Sequence, residues 1–169
     1  MRRLIDFCFS DRRGLAVALA AAVGAGAVVA WAEHWAGMEP CSLCWTQRLF
    51  MGLFAVAALA GFVAWPKGRA GKTLLGVPLL GTALAGAAVA VRHLYVIWNP
   101  EVAECGMSPE VMVQILPWHK LLLELITGNT DCAEASHLLG VPLPLWSLFG
   151  FLALAALSAY ALIRRSPSL

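Results

Sequence analysis

Two cysteines separated by two residues, Cys41 and Cys44, are the side chains of this sequence best suited to chemistry. Vicinal thiols at this spacing close a disulfide and reopen it by thiol–disulfide exchange. They stand directly before an uncharged run, so we expect them at the first turn of a helix. Arg48 follows Cys44 by four residues, which puts both side chains on one helix face. A helix N-terminus and a nearby cation both favour the thiolate, the reactive form of a cysteine.

A second pair of cysteines, Cys105 and Cys132, lies among acidic residues further along the chain, and Cys8 is the fifth. Four cysteines can pair, and one is then left over. One interpretation of Cys105 and Cys132 is a disulfide that only staples a loop, worth about 3–4 kcal/mol through loop-closure entropy. Beside a second dithiol we prefer the other interpretation, an exchange relay between two cysteine pairs.

Histidines near these cysteines raise two further possibilities. His34 lies close to the dithiol in sequence, but zinc prefers four ligands, and no second pair of Cys or His stands at ligand spacing. The sequence therefore predicts no metal site. His93 follows the third apolar run, and we expect it at the same depth as Arg48. At that depth the two side chains can bracket the polar ring substituents of a ligand.

The composition places these residues in a membrane protein. Of the 169 residues, 60% are hydrophobic and only 13% charged, which is too little polar surface for a soluble domain of this size. A membrane helix needs about 20 apolar residues. Four runs approach this length without a charged residue, and with flanking residues they predict spans at about 14–32, 45–65, 73–92 and 141–163. We expect residues 1–169 to form a single integral-membrane domain, an all-α bundle of four transmembrane helices.

Basic residues set the orientation of this bundle. Most Lys and Arg residues lie before the first span, between the second and third, or after the last. The positive-inside rule assigns these segments, with both termini, to the cytoplasm. The outer loops, about 33–44 and 93–140, then hold both cysteine pairs on the side where disulfides persist. Within the second loop, residues 111–126 are apolar but carry charges and are interrupted by Pro117, which predicts a short interfacial helix.

An exchange relay needs an electron acceptor. The sequence contains no dinucleotide fingerprint, P-loop or haem-attachment Cys-x-x-Cys-His. Its net charge of +2 is far from that of a nucleic-acid binder, so we expect no nucleic-acid partner. A quinone dissolved in the membrane lipid is the acceptor that suits a site among apolar helices. Arg48 could hydrogen-bond a quinone oxygen while the Cys44 thiolate donates electrons.

The segment Pro-Cys-x-Leu-Cys-x-x-Gln-Arg at positions 40–48 resembles the membrane thiol oxidases of the disulfide bond formation protein B family. Three predicted features are also similar to that family: four spans, both termini on the cytoplasmic side, and a cysteine pair in the second outer loop. The segment Pro144-x-Trp146 at the start of the last span is similar to the family as well. His93 looks like the family's histidine at the outer end of the third helix, which implies a contact with the quinone. The resemblance covers essentially the whole chain.

The resemblance implies a protein of the bacterial inner membrane that reoxidises a periplasmic DsbA-like thiol oxidase and passes the electrons to ubiquinone or menaquinone. Cys105 would form the mixed disulfide with that partner, and Cys132 would be its resolving partner. Cys41 and Cys44 would then receive the electrons, with Cys44 nearest the quinone and Arg48 assisting it.

Two other interpretations stay open. A quinone reductase of the vitamin K epoxide reductase type also has four helices, a Cys-x-x-Cys and loop cysteines. In that class the motif is expected near a later helix, whereas here it opens the second. The other interpretation is a non-enzymatic membrane protein whose disulfides only staple the loops, or which binds a metal.

Overall fold

The computed structural model describes residues 12–36, 40–64, 68–103, 109–134, 137–138 and 140–163. Helices dominate this part of the chain, and four of them are long and apolar enough to cross a membrane. The predicted all-α fold with four membrane helices is thereby confirmed. The long helices are α1 (Arg12–Ala36), α2 (Ser42–Ala64), α3 (Gly68–Trp98) and α6 (Leu143–Ile163), and two short helices, α4 (Pro109–Ile115) and α5 (Trp118–Thr127), stand between α3 and α6.

Small residues let the long helices approach each other closely. α3 packs against α2 and α6, and α1 packs against α2. Gly86 of α3 lies against the ring of Phe151 in α6, and Gly61 of α2 lies against the side chain of Leu75. Lipid is as apolar as these side chains, so close van der Waals contact is what holds such helices together. The buried residues at the centre of this packing, here called the apolar cluster, are Ala22, Phe54, Ala58, Leu79, Ala83, Leu154 and Ala155.

α3 runs further than the predicted third span. It contains 31 residues and continues past Arg92 to Trp98. It ends where Asn99 precedes Pro100, because a proline disfavours helical backbone at the residue before it. His93 therefore lies inside α3, about one turn before its end. The position of the membrane boundary along this helix stays a prediction.

The segment between α3 and α6 forms two short helices, separated at Pro117 as the sequence predicted. α5 lies against the outer parts of α2 and α3. The hydroxyl of Thr46 donates to the carbonyl of Leu125 at 2.7 Å, and Nε of Arg92 donates to the carbonyl of Thr127 at 3.1 Å. These bonds satisfy carbonyls of the last turn of α5, which lack partners within the helix. The location of α4 and α5 in the membrane interface stays a prediction.

A hairpin that was not predicted connects this segment to α6. Its strands, β1 (His137–Leu138) and β2 (Val141–Pro142), pair in antiparallel register. Gly140 supplies the turn with φ 79°, a conformation that side chains other than glycine's rarely adopt. Because Val141–Pro142 belongs to a strand, α6 begins at Leu143 rather than at the predicted start of the fourth span.

Candidate functional site

The N-terminus of α2 holds the predicted dithiol. The carbonyl of Cys41 accepts the N–H of Trp45 at 3.1 Å, so Cys41 begins the hydrogen-bond ladder of the helix. Cys44 lies in the first turn, and its Sγ is 3.2 Å from Sγ of Cys41. Both are free thiols, with Cys41 buried and Cys44 partly exposed. The expected position of the dithiol at the start of a long apolar helix is therefore the observed one.

His93 reaches the dithiol from α3. Its ring is completely buried, and Nε2 lies 3.7 Å from Sγ of Cys41. Nε2 is also 3.2 Å from the carbonyl oxygen of Cys132, and Nδ1 is 3.2 Å from the amide nitrogen of Gln47. With the amide in this orientation Gln47 donates to Nδ1, so the ring proton is on Nε2 and is donated to Cys132. Both ring nitrogens therefore contact protein groups.

The loop after α5 brings Cys132 next to His93 and the dithiol. Cys132 ends a 3₁₀ turn (Thr130–Cys132) and is completely buried. Its Sγ is 3.5 Å from Oγ of Ser42 and 3.4 Å from Oδ1 of Asn129, and its side chain belongs to the same buried cluster as Cys41. Three sulfurs from two distant parts of the chain therefore meet. We call the group formed by Cys41, Cys44, His93 and Cys132 the cysteine cluster.

Burial and mutual hydrogen bonding favour the neutral form of two of these thiols. The hydrogen bond with Cys132 lowers the pKa of Cys41, but the hydrogen bond with Cys44 and burial outweigh it and raise that pKa to about 12. The hydrogen bond with Cys41, followed by burial, raises the pKa of Cys132 as well. Burial and these hydrogen bonds therefore oppose the ionisation of Cys41. A neutral thiol is a weak nucleophile, so Cys41 and Cys132 must lose a proton before they attack a disulfide.

Gly128 sets the path by which the loop reaches the dithiol. It ends α5, its N–H donates to the carbonyl of Glu124 at 3.1 Å, and its φ is 81°. A Cβ at this position would lie 2.6 Å from Cδ1 of Leu43 and 3.6 Å from Sγ of Cys132. Leu43 is itself completely buried in the first turn of α2. The loop therefore lies on α2 with no space for a side chain at this position.

The structure brings most of the predicted site residues together. The helix dithiol, His93 and Cys132 form one cluster. Arg48 lies one turn along α2 from Cys44 and is half-buried. Cys105 lies outside the described residues, so its pairing with Cys132 stays a prediction.

Three polar residues that support the cluster had no role assigned from the sequence. Ser42, Gln47 and Asn129 are buried, and each contacts a cluster residue. Ser42 and Gln47 carried a usable signal, because polar residues within a membrane helix are commonly functional. Asn129 carried none, because it belongs to a polar loop in which asparagine is ordinary.

This arrangement is that of a membrane protein with an exchange-competent dithiol. A cysteine from the loop is buried in the same cluster as one cysteine of a helix dithiol, and the other cysteine of the dithiol is partly exposed. Thiol–disulfide exchange requires such direct approach of one sulfur to another.

Comparison with known proteins identifies the family. The family model described as disulfide bond formation protein DsbB matches residues 11–161. Disulfide bond formation protein B of Alkalilimnicola ehrlichii is 47% identical over 154 residues, which cover 91% of this chain and 94% of the relative. The protein of the same name from Marinobacter nauticus is 40% identical over 143 residues, 82% of this chain and 84% of the relative. Disulfide bond formation protein B 1 of Pseudomonas aeruginosa is 32% identical over 160 residues, 93% of this chain and 98% of the relative.

The chain therefore belongs to the DsbB family, and the family predicted from residues 40–48 and the topology is confirmed. Its four long apolar helices fit a multi-pass protein of the inner membrane.

Proposed function

We propose that this protein is a membrane thiol oxidase, an oxidoreductase of disulfide bond formation. It takes electrons from a DsbA-like periplasmic thiol oxidase by disulfide exchange and passes them to a membrane quinone, ubiquinone or menaquinone. Membership of the DsbB family supports the class of reaction. The packing of Cys132 and Cys41 in one buried cluster, with Nε2 of His93 close to both residues, carries the proposal, because it brings a loop cysteine to the helix dithiol.

The first exchange takes place at the loop disulfide between Cys105 and Cys132. A thiolate of the reduced partner attacks Sγ of Cys105, and the bond to Cys132 breaks. The partner's second thiolate then attacks the mixed disulfide, so that the partner leaves oxidised and Cys105 and Cys132 are both reduced. Two electrons have moved from the partner to the loop.

The second exchange moves these electrons to α2. The Cys132 thiolate attacks Sγ of Cys41 in the Cys41–Cys44 disulfide, which forms a Cys41–Cys132 bond and releases Cys44 as a thiolate. The Cys105 thiolate then attacks Sγ of Cys132, restores the loop disulfide and releases Cys41. Cys41 is the expected target because it is buried in the same cluster as Cys132.

Polar side chains assist the second exchange by holding its sulfurs in place. Oγ of Ser42 lies within hydrogen-bond distance of Sγ of Cys132 and can stabilise its thiolate by donating to it, whereas Oδ1 of Asn129 accepts from the Cys132 thiol and holds it in place. His93 was predicted to contact the quinone. Because its two ring nitrogens contact Gln47 and the Cys132 turn, the geometry favours a role in positioning Cys41 instead.

The outer part of α2 fits a quinone. Cys44 is partly exposed, the neighbouring Trp45 is 46% exposed, and Arg48 is half-buried one turn further along the helix. A bound quinone supplies an acceptor for two electrons and two protons from the reduced dithiol. Arg48 would donate a hydrogen bond to a quinone oxygen, and its permanent charge would stabilise the negative charge that arrives there.

The proposed orientation places the cysteine cluster in the periplasm and both termini in the cytoplasm, as the basic residues indicate. A membrane-impermeant maleimide added to reduced spheroplasts is expected to label Cys44 and to leave Cys8 unlabelled until the membrane is opened. Labelling of Cys8 but not Cys44 in closed spheroplasts would refute the orientation, and with it the periplasmic partner.

Anaerobic mixing of the purified protein with a quinone and a reduced thioredoxin-fold partner tests the reaction itself. We expect the quinone absorbance to fall in step with oxidation of the partner. Cys44→Ala is expected to abolish this reaction, whereas Cys8→Ala, outside the proposed relay, should leave it unchanged. Quinone reduction that persists in Cys44→Ala would contradict the proposal.

A further inference from the structure

The reduced cysteine cluster assembles a set of metal ligands that the sequence did not show. The ligand atoms of Cys41, Cys44 and His93 all lie within 4.8 Å of one another. Cys132 belongs to the same buried cluster as Cys41. We propose that the reduced protein binds one zinc-type divalent cation through Sγ of Cys41, Sγ of Cys44 and Nε2 of His93, with Sγ of Cys132 as the fourth ligand.

The distances already suit such an ion. Zinc–sulfur bonds of about 2.3 Å and zinc–nitrogen bonds of about 2.0 Å in a tetrahedron separate the ligand atoms by about 3.5–3.8 Å. Sγ of Cys41 is 3.2 Å from Sγ of Cys44 and 3.7 Å from Nε2 of His93. Small rotations of these three side chains therefore give the required geometry, whereas Sγ of Cys132, which lies outside this group, must move closer to become the fourth ligand. Three sulfurs and one imidazole are also a donor set typical of structural zinc sites.

Gln47 completes the site as the partner of the histidine ligand. A metal-bound imidazole usually donates its other N–H to a neighbouring oxygen, which fixes the orientation of the ring. The Gln47 amide lies 3.2 Å from Nδ1 of His93, and rotating this amide by 180° presents its oxygen to an Nδ1–H. The ring proton then moves from Nε2 to Nδ1, which frees Nε2 for the cation. The partly exposed Cys44 offers a route from the outer surface.

Binding involves proton release but no electron transfer. The three thiols lose their protons to solvent, His93 remains neutral, and a divalent cation with three thiolates carries a net charge of −1. Arg48, one turn from Cys44, lies close enough along the helix to offset that charge. A Cys41–Cys44 disulfide cannot provide the two thiolates, so only the reduced form binds. If the proposed function holds, the cation retains the dithiol in its reduced form and inhibits exchange, but the binding itself does not depend on that function.

A full-length variant with Cys8→Ser and Cys105→Ser tests the site, because it keeps only the three clustered cysteines and cannot exchange with a soluble partner through Cys105. The detergent-solubilised variant is reduced, freed of reductant and titrated with Cd²⁺, whose thiolate charge-transfer band counts bound sulfurs. We expect one Cd²⁺ per chain in the reduced protein and none in the disulfide form. Equal binding by both forms, or binding without the charge-transfer band, would overturn the proposal.

Variants in this background assign the ligands. Cys44→Ser and Cys132→Ser should each reduce the band to about two-thirds, because each removes one of three thiolates, and the double variant should reduce it to about one-third. His93→Ala should weaken Cd²⁺ binding at least about tenfold. The exposed His119 provides the matched control, and His119→Ala should leave Cd²⁺ binding unchanged. Equal weakening by both histidine variants would remove His93 from the site.

X-ray absorption spectroscopy of the reduced, zinc-loaded full-length protein identifies the ligand atoms without any substitution in the cysteine cluster. A shell of three sulfurs and one nitrogen supports the site as proposed. A shell of two sulfurs overturns the assignment of Cys132, and a shell of oxygen and nitrogen alone overturns the site. Turnover with quinone and partner is a separate measurement, so a protein that binds zinc without losing activity would contradict the inhibition and leave the binding result standing.

Discussion

The apolar cluster and the cysteine cluster belong to one helix bundle but are held together by different forces. In the apolar cluster, Ala58 and Ala83 are completely buried, and the long helices meet through small side chains without polar contacts between them. In the cysteine cluster, His93, Ser42 and Asn129 make directional contacts to thiols or to the loop backbone. The first is a packing arrangement, whereas the second is an arrangement of donors and acceptors.

This difference indicates what each region contributes. Packing changes in a close-packed helix interface cost stability in proportion to the volume added or removed. Hydrogen bonds within membrane proteins average only about 0.6 kcal/mol, so the polar contacts of the cysteine cluster add little to the stability of the bundle. We therefore expect substitutions in the apolar cluster to lower stability and spare the chemistry of each folded molecule. Substitutions of the side chains of the cysteine cluster should mainly lower turnover, with little loss of stability.

The largest effect is expected for Cys132→Ser. Serine keeps the neighbours Ser42 and Asn129 hydrogen-bonded but cannot exchange with a disulfide, so partner-driven quinone reduction should fall by about 100-fold or more. Reduction of the Cys41–Cys44 pair by dithiothreitol should still support quinone reduction, because this route does not use the loop. Under the loop-staple interpretation the variant would only be less stable, and retained partner-driven turnover would decide for that interpretation.

A pair of glycine substitutions compares the loop beside the cysteine cluster with the packing between the long helices. Gly128→Ala places a Cβ against Leu43 and Cys132 at a positive φ, so we expect a stability loss of about 2 kcal/mol and about a tenfold fall in partner-driven turnover. Gly86→Ala places a Cβ against the ring of Phe151 and should cost a similar amount, about 1–3 kcal/mol, with turnover per folded molecule unchanged. Thermal unfolding in detergent and quinone reduction measure the two quantities. Equal turnover in the two variants would remove the distinction between the clusters.

The sequence predicted the bundle well because lipid imposes a simple rule on it. Only long uncharged helices satisfy their backbone polar groups in a bilayer, so four apolar runs were enough to predict four spans. Helix ends were less predictable. Trp98 lies beyond the predicted third span because nothing in residues 93–98 breaks a helix, and hydropathy alone does not show where a helix extends past the membrane.

The cysteine cluster could be predicted only in part. The dithiol of Cys41 and Cys44 was predicted because the spacing of two cysteines along the chain is enough to indicate it. The approach of Cys132 and His93 to them depends on the path of a loop, and that path is set by the positive φ of Gly128 and by the bonds that hold α5 against α2. Local sequence patterns do not contain such long-range contacts.

A smaller effect is expected for Arg48→Ala. Arg48 lies on α2 between the two clusters. Loss of one charge-assisted hydrogen bond to a quinone oxygen should raise the KM for quinone about tenfold and leave the KM for the protein partner nearly unchanged. Arg48→Lys should recover part of the loss, because lysine keeps the charge but not the planar group. Steady-state kinetics with each substrate varied in turn measures both constants. Equal increases in the two KM values would count against a contact with quinone.

The smallest effect compares two threonines. Thr46→Val removes the bond to the Leu125 carbonyl that holds α5 against α2, and we expect a loss of about 1 kcal/mol and a two- to threefold slower transfer from the loop. Thr82 bonds only to the Pro78 and Leu79 carbonyls of its own helix, so Thr82→Val should change stability by no more than about 0.5 kcal/mol and leave transfer unchanged. Stopped-flow mixing with reduced partner measures the transfer step. Because valine has nearly the shape of threonine, unchanged transfer in Thr46→Val would show that the bond from Thr46 to Leu125 does not control the position of the loop.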